Sequence, residues 1–520
     1  MLSLAVKKLL VIKTIAELRS YLASRHSAQI GLVPTMGALH QGHLSLIERA
    51  IAETDTVVVS IFVNPLQFAP TEDLQQYPRQ LEADFQLCQR LGVDVVFAPT
   101  VEAMNLKGDS AAQSLTTTVV PPADLITVLC GKFRSGHFEG VATIVTKLFN
   151  IVRCNRAYFG QKDAQQLAII RQVVADLNIP VEIVGCPIVR EASGLALSSR
   201  NQYLTADQKE SAAQIYQGLL QAQAAFKQGE NHSQILVDLV KQKLTNLAEV
   251  KIQYIELVHP QTLKPLNEVK QQGLLAIAAH VGSTRLIDNI LLKKRQPIIA
   301  IDGPAGAGKS TVTRRVAQKL KLLYLDTGAM YRAVTWLVMQ SNLALDNEEA
   351  IADLVEEAKI ELIPPDAIDL PTGVYINKQD VTQTIRTPEV TANVSTIAAQ
   401  AAVREALVSM QQKWGFEGGV IAEGRDIGTN VFPDAELKIF LTASAAERAK
   451  RRSQDLARQG ESNIDLEQLT REIRQRDEKD SNRAIAPLKK APDAIELVTD
   501  DLSIDVVTQK IVELYRERID

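Results

Sequence analysis

Two short runs carry residue types suited to phosphate chemistry. Gly303-Pro304-Ala305-Gly306-Ala307-Gly308-Lys309-Ser310-Thr311 fits G-x-x-x-x-G-K-[ST]. The apolar run 298–302 precedes it and the helix-like run 311–320 follows, which is the setting the motif needs. Its glycines let backbone N–H groups close around phosphate oxygens, and a helix N-terminus adds partial positive charge. Lys309 is expected to reach the β/γ-phosphates and Ser310 to hold Mg²⁺. The second run is Met36-Gly37-Ala38-Leu39-His40-Gln41-Gly42-His43, at another strand-to-helix turn. His40 and His43, three apart, share nearly one helical face. H-x-x-H lacks the glutamate of H-E-x-x-H and no cysteine is spaced to help, so the zinc reading is poor. At a turn rich in glycine, two imidazoles can instead donate to phosphate oxygens where charge develops during attack at an α-phosphorus.

A third run is a decoy. Asn377-Lys378-Gln379-Asp380 fits the N-K-x-D of guanine readers. Such proteins also need a D-x-x-G between the phosphate loop and N-K-x-D, and none lies between Ser310 and Asn377. The run reads as a hairpin turn.

These motifs need elements to position them. Runs 29–35, 55–64, 94–100, 156–163 and 181–189 are strand-like, and 44–53 has helical apolar spacing. Strands alternating with helices imply a doubly wound parallel sheet. Residues 205–248 are rich in Gln and Ala with helical spacing, and 251–260 and 273–292 are strand-like again. That gives a Rossmann-like domain over 1–190 and a smaller α+β lobe over 191–295. Segment 291–297 is a charged run ending in Pro297, so the join falls near 295, and 296–520 forms a separate phosphate-loop domain.

Composition supports two units. The seven His and four Cys all lie before position 297, so chemistry in the last 224 residues cannot use imidazole or thiolate. Residues 1–296 carry 29 basic and 25 acidic side chains, and the remainder 28 and 36. The overall charge of −4 argues against nucleic acid as a partner. The apolar runs are all too short to span a bilayer. The N-terminal run reads as a first strand, not a signal peptide. Four cysteines without C-x-x-C suit a reducing cytoplasm.

In the second half, residues 325–332, 394–399 with 403–407, 422–428 and 474–487 closely resemble bacterial cytidylate kinase, over nearly all of 297–520. The resemblance implies a nucleoside monophosphate kinase fold. It places Thr327, Tyr331, Arg332, Ser395, Arg404, Arg425, Asp426, Arg476, Asp480 and Arg483 around CMP or dCMP and the phosphates. Arg425 and Lys309 are then the catalytic cations. Arginine forks grip phosphate bidentately. Glu423 stands where many relatives have Asp, and Lys479 replaces a common lid Arg.

The H-x-x-H block resembles the H-x-G-H signature of adenylate-forming nucleotidyltransferases. With 60–68, 77–79, 136–141, 143–150, 159–167 and 194–204, it looks like the pantothenate synthetase family over about 10–285. The resemblance implies two steps, through pantoyl adenylate and then amide formation with β-alanine. It implies an ATP site of Met36 to His43, Gly160, Gln161, Lys162, Asp163, Val189, Leu197, Ser198, Ser199 and Arg200. His43 is the expected proton donor, with His40 and Lys162 also catalytic. Gln67 and Gln166 are expected to hold pantoate, and Asp163 to contact Mg²⁺. Ser135 and Gln161 depart from common residues at positions away from the chemistry.

The expectation is a bifunctional cytoplasmic α/β enzyme using ATP and Mg²⁺, with small-molecule substrates and a homo-oligomer formed through the first half. Two alternatives stay open: a kinase-like half that only binds nucleotide as a regulator, and an amide ligase with other substrates.

Overall fold

The computed structural model describes residues 9–25, 28–68, 74–75, 77–106, 117–363, 371–416, 418–458, 465–483 and 486–519. Most of the expected N-terminal strand (1–8) and positions 484–485 of the last kinase-like motif lie outside them. The chain divides into two compact units, Met1–Lys294 and Arg295–Asp520.

In the first unit, β1 (Leu10–Ile12), β2 (Ile30–Thr35), β3 (Thr56–Ile61), β4 (Val95–Phe97), β5 (Arg156–Gly160) and β6 (Glu182–Cys186) form one parallel sheet. The order is β1-β4-β3-β2-β5-β6. β3 is fully buried, and its Val-rich run is what a strand covered on both faces requires. Chain order reverses between β2 and its neighbours, so a crevice opens beyond the carboxyl ends of β2 and β5. Both H-x-x-H and Lys162 follow those ends. The helix Gln41–Glu53 packs Leu46, Ile47 and Ala50 on one face of the sheet, and His137–Val152 packs on the other.

After β6 come the helices Ala206–Lys227 and Ser233–Thr245, then an antiparallel sheet of β7 (Val250–Val258), β8 (Gln272–Val281) and β9 (Thr284–Lys293). Leu219, Leu236, Val240, Leu275 and Ile277 form its core. β9 runs through residues 291–293, which the sequence presents as the start of a linker. Their pairing with Gln272–Leu274 absorbs them into the sheet.

In the second unit, β10 (Ile298–Asp302), β11 (Leu323–Asp326), β15 (Val420–Gly424), β16 (Leu437–Thr442) and β17 (Ile495–Val498) form a parallel sheet ordered β11-β15-β10-β16-β17. β10 is wholly buried at its centre and delivers the phosphate loop from its carboxyl end. A small antiparallel sheet holds β12 (Ile360–Ile363), β13 (Gly373–Ile376) and β14 (Gln379–Asp380). Asn377 and Lys378, both at positive φ, make the two-residue turn between β13 and β14, so N-K-Q-D is a hairpin. No helix among the described residues is long and apolar enough to cross a membrane.

Candidate active sites

The H-x-x-H turn begins where β2 ends. Gly37 and Ala38 adopt positive φ, and a Cβ at Gly37 would come within 2.9 Å of an Asp84 oxygen. Asp84, buried on the helix Leu81–Leu91, accepts the N–H groups of Ala38 (3.0 Å) and Leu39 (2.8 Å). His40 then caps the helix Gln41–Glu53. Its Nδ1 accepts from Gly42 N–H at 3.1 Å, and its own backbone N–H donates to His43 Nδ1 at 3.3 Å. The two rings are 4.1 Å apart. Capping therefore uses both Nδ1 atoms and leaves Nε2–H on each ring as a donor.

Burial lowers the His40 pKa to about 4, with Lys162 adding to the effect. Burial, then His40 and Lys162, lowers His43 to about 3. Both rings are neutral at pH 7. In that form each ring offers a hydrogen-bond N–H, burial being the main reason it carries no second proton.

Lys162 pairs with Asp163 at 3.3 Å in the turn after β5. Burial opposes ionisation of Asp163, yet Lys162, with Arg200 and His137, holds it below the usual carboxylate range. Lys162, Asp163, Gln166, Ser198 and Arg200 line one cavity. Ser198 Oγ accepts from Arg200 N–H, and Leu197 N–H donates to Val189 O at 3.0 Å. Gln67 reaches this region through His137, which lines the same cavity. Gln67 Nε2 meets Met36 Sδ at 2.8 Å, and Asn64 Nδ2 donates to Gln67 Oε1 at 3.2 Å. His137 Nδ1–H donates to the Gln67 carbonyl at 2.7 Å, with Arg134 donating to Nε2 at 2.9 Å. Gln161 is exposed, and its carbonyl, not its side chain, is held.

In the second unit, Gly303, Gly306 and Gly308 all have positive φ. A Cβ at Gly303 would sit 1.9 Å from Leu441 O, so only glycine fits there. Lys309 is buried, and its Nζ donates to the carbonyls of Gly303 and Pro304 at 2.8 Å each. It rests on its own loop; reaching β/γ-phosphates requires it to leave those carbonyls. Arg448 grips Asp477 bidentately (2.9 and 2.5 Å) and donates to Ala305 O at 3.1 Å, fastening the loop to the helix Leu466–Ser481.

Behind Ser310 lies Glu423, 4 % exposed. Tyr324 O–H donates to its Oε1, while Oε2 is buried without a hydrogen-bond partner. Burial raises the Glu423 pKa, reinforced by Asp326 and opposed by Lys309. An orphaned carboxylate oxygen close to the phosphate-loop serine is a donor set that suits a hard divalent cation.

Arg404, Arg425, Arg476 and Arg483 gather here near Lys309. Arg404 and Asp426 form a buried ion pair, and Arg404 lies 5.6 Å over the Tyr331 ring. Arg425 Nε donates to Asp480 at 3.1 Å, and Arg483 stands 3.7 Å from the same carboxylate. Burial and the neighbouring Arg425 lower the Arg476 pKa. Thr327 Oγ donates to Glu423 O at 2.6 Å. Arg332 lies 3.4 Å from Asp326 and lines a cleft with Ser310, Arg314 and Arg386. Ser395 is exposed on the helix Pro388–Ile397 and makes no described contact with this cluster.

The sequence reading missed Asp84, Arg386, Arg448 and Asp302. Asp302, 4 % exposed at the end of β10, accepts the N–H groups of Ile427 (2.8 Å) and Gly428 (2.7 Å). Each has at least one partner farther along the chain, 46, 14, 29 and 125 residues away respectively, which no local pattern shows. Asp302 shows only as an acid ending an apolar strand before the phosphate loop.

The two sites define a class: a doubly wound nucleotidyltransferase-type unit joined to a phosphate-loop kinase unit. Family models agree, with pantoate–β-alanine ligase matching residues 10–291 and cytidylate kinase matching 299–517. A bifunctional pantoate ligase/cytidylate kinase of Trichormus variabilis is 62% identical, covering 96% of this chain and 93% of its own. That of Synechocystis sp. is 56% identical, covering 98% and 99%. The solved pantothenate synthetase of Thermus thermophilus is 44% identical, with TM-score 0.51, covering 54% of this chain and 98% of that one. This chain belongs to the bifunctional pantoate ligase/cytidylate kinase family.

Proposed function

We propose that residues 1–295 condense pantoate with β-alanine and that 296–520 phosphorylate CMP or dCMP, each at the expense of ATP. The lobe 191–295 belongs to the ligase. The observation that carries the ligase reading is the pair of neutral imidazoles at the end of β2, beside Lys162. Met36 to His43, with Gly160, Gln161, Val189, Leu197 and the backbone around them, cradles ATP. A pantoate carboxylate oxygen attacks the α-phosphorus and pyrophosphate leaves. The His40 and His43 N–H groups, Lys162, Ser198, Ser199 and Arg200 stabilise charge developing on the phosphates. Gln67 and Gln166 hold pantoate. The β-alanine amine then attacks the acyl carbon, AMP departs with the carbon–oxygen bond pair, and the amine proton passes to solvent. Asp163 suits an Mg²⁺ ion that neutralises phosphate charge when bound.

In the kinase unit, Arg404 and Asp426 read the base, and Thr327, Tyr331 and Ser395 flank the nucleoside. Arg332, Arg425, Arg476 and Arg483 clamp the transferring phosphate, and Asp480 orients the arginines. Gly303 to Thr311 bind ATP, and Lys309 moves onto the phosphates. Ser310 with Glu423 suits Mg²⁺, which supplies charge neutralisation there. A CMP-clamping arginine set around an intact Lys309 supports turnover over a purely regulatory role. The test is one preparation assayed twice, for pantoate-dependent ATP–pyrophosphate exchange and for CMP-dependent ADP release. Both are expected. Exchange without CMP phosphorylation would leave the second unit as a nucleotide-binding regulator.

A further inference from the structure

Arg448, 4 % exposed, touches three separate segments of the second unit. Its Nε donates to Ala443 O at 2.9 Å, just beyond the carboxyl end of β16, which fixes the root of the guanidinium. One terminal nitrogen is shared. It donates to Ala305 O in the phosphate loop at 3.1 Å and to one Asp477 oxygen at 2.9 Å. The other donates to the second Asp477 oxygen at 2.5 Å. The stem of Arg448 also packs against the loop, 3.6–3.8 Å from where a Cβ on Gly306 would sit.

Asp477 and Asp480 lie three apart on the helix Leu466–Ser481 and so share nearly one face. Asp477 meets the phosphate loop through Arg448. Asp480, buried, accepts from Arg425 Nε at 3.1 Å and has Arg483 at 3.7 Å. One helical turn therefore joins the loop built for the phosphates of one nucleotide to the arginines placed around the other. The loop also holds a contact that a ligand must break. Lys309 Nζ rests on the carbonyls of Gly303 and Pro304, the two residues before Ala305. Phosphates that draw Lys309 away release those carbonyls, next to the one that Arg448 holds.

Resting on the kinase reading above, we infer that Arg448 is a positioning residue that couples the two nucleotide sites: ATP on the phosphate loop tightens CMP through the Arg448–Asp477 pair. Such coupling needs two states that each ligand distinguishes. ATP distinguishes them at Lys309, which lies on the loop carbonyls in one and on the phosphates in the other. CMP distinguishes them at Arg425 and Arg483, whose common anchor is Asp480. The bidentate pair can carry the shift because fork and carboxylate fit in one plane with little slack. Parting them would leave the Arg448 charge buried and uncompensated. A lysine ammonium is a point charge and cannot hold the loop carbonyl and both carboxylate oxygens in a flat fork.

The test is calorimetric titration of CMP into the full chain, with and without saturating β,γ-imido-ATP and Mg²⁺. CMP is the titrant, so analogue bound in the first unit adds no signal. The wild type should bind CMP about tenfold tighter with the analogue, within the usual range for coupled sites. Asp477→Asn should bind CMP alone within about threefold of the wild type, yet gain less than about twofold from the analogue. Arg448→Lys, which keeps the charge, should lose the coupling in the same way. The double variant should lose no more than either, because the two residues act as one unit. A wild-type gain below about twofold would overturn the inference, as would a wild-type gain surviving in either single variant. Equal weakening of CMP with and without the analogue would mark a scaffold role and overturn it too. CMP binding absent from the wild type would overturn the kinase reading and the inference with it, whereas the other contrary results leave that reading standing.

Discussion

The Asp84 carboxylate accepts two consecutive N–H groups, those of Ala38 and Leu39, and so fixes the turn that presents His40. Asp84→Asn removes one acceptor and turns an N–H₂ toward an N–H. The expected result is a 10–100-fold fall in kcat/KM for pantoate adenylation, because misplaced donors stabilise the transition state poorly. CMP phosphorylation should not change. Burial raises the Asp84 pKa despite those bonds, so the turn should loosen as pH falls and the carboxyl protonates. Wild-type adenylation should therefore decline on the acid side, with a step that Asp84→Asn lacks. Parallel pH–rate profiles of the two proteins check this.

His43→Ala should lower the adenylation rate about 10²–10³-fold and spare the kinase, as removal of one positioned donor does. His43→Gln, which keeps a side-chain N–H, should lose less. With His40 near 4 and His43 near 3, neither ring titrates near its ordinary ~6.5 in the free protein. The free-enzyme profile should show no step from His40 or His43 between pH 6 and 8. The sign for stability follows from the same shifts. The unfolded chain takes up protons below ~6.5 while the native pair does not, so stability present above that pH is lost as pH falls toward 4 and then 3. Urea midpoints at pH 7.5 and 5 should differ less in a His40→Ala/His43→Ala double variant.

Chains cut at residue 295 should each keep their activity, with 1–295 forming pantothenate and 296–520 phosphorylating CMP. Each unit carries its own cores: Leu32, Phe97 and Leu148 in the first, Ile299, Ile301 and Leu437 in the second. Rates within about threefold of the parent are expected in steady-state assays of both fragments. Well-folded fragments without activity would mean that each site needs the other unit.

Local pattern made much of this legible. Gly303 to Ser310 stands out because strand, loop and helix are contiguous, and β8 and β9 read as one strand-like run broken at Gly282-Ser283. The signal ends where a contact joins distant residues. Asp84 is one acid on an amphipathic helix until the fold brings Ala38 to it. The tautomers of His40 and His43 follow from cap geometry, which spacing alone does not specify. The charge state of Asp302 needed the fold as well, because its environment comes from Ile427, Gly428, Asp426 and Lys309.

Asp302 changes the pH behaviour expected of a unit with no histidine or cysteine. From composition alone such a unit should show no protein step near neutrality, since ordinary lysine and arginine titrate above ~10, although burial, reinforced by Arg425, holds Lys309 well below that range. Burial, reinforced by Asp426 and opposed by two backbone N–H groups and Lys309, moves the Asp302 carboxyl to about 6. As pH falls through 6, the carboxylate protonates and its hold on Ile427 and Gly428 N–H weakens, which loosens the segment carrying Arg425 and Asp426. The KM for CMP should rise on the acid side. CMP itself gains a proton near ~6, so the two effects overlap. Asp302→Asn separates them: its KM should be raised about tenfold at pH 7.5, and its remaining acid step should match CMP ionisation alone. CMP titrated separately under the same conditions gives the reference curve. A wild-type profile already accounted for by CMP ionisation would mean that Asp302 keeps its charge below pH 6 and that the paired N–H groups outweigh its burial.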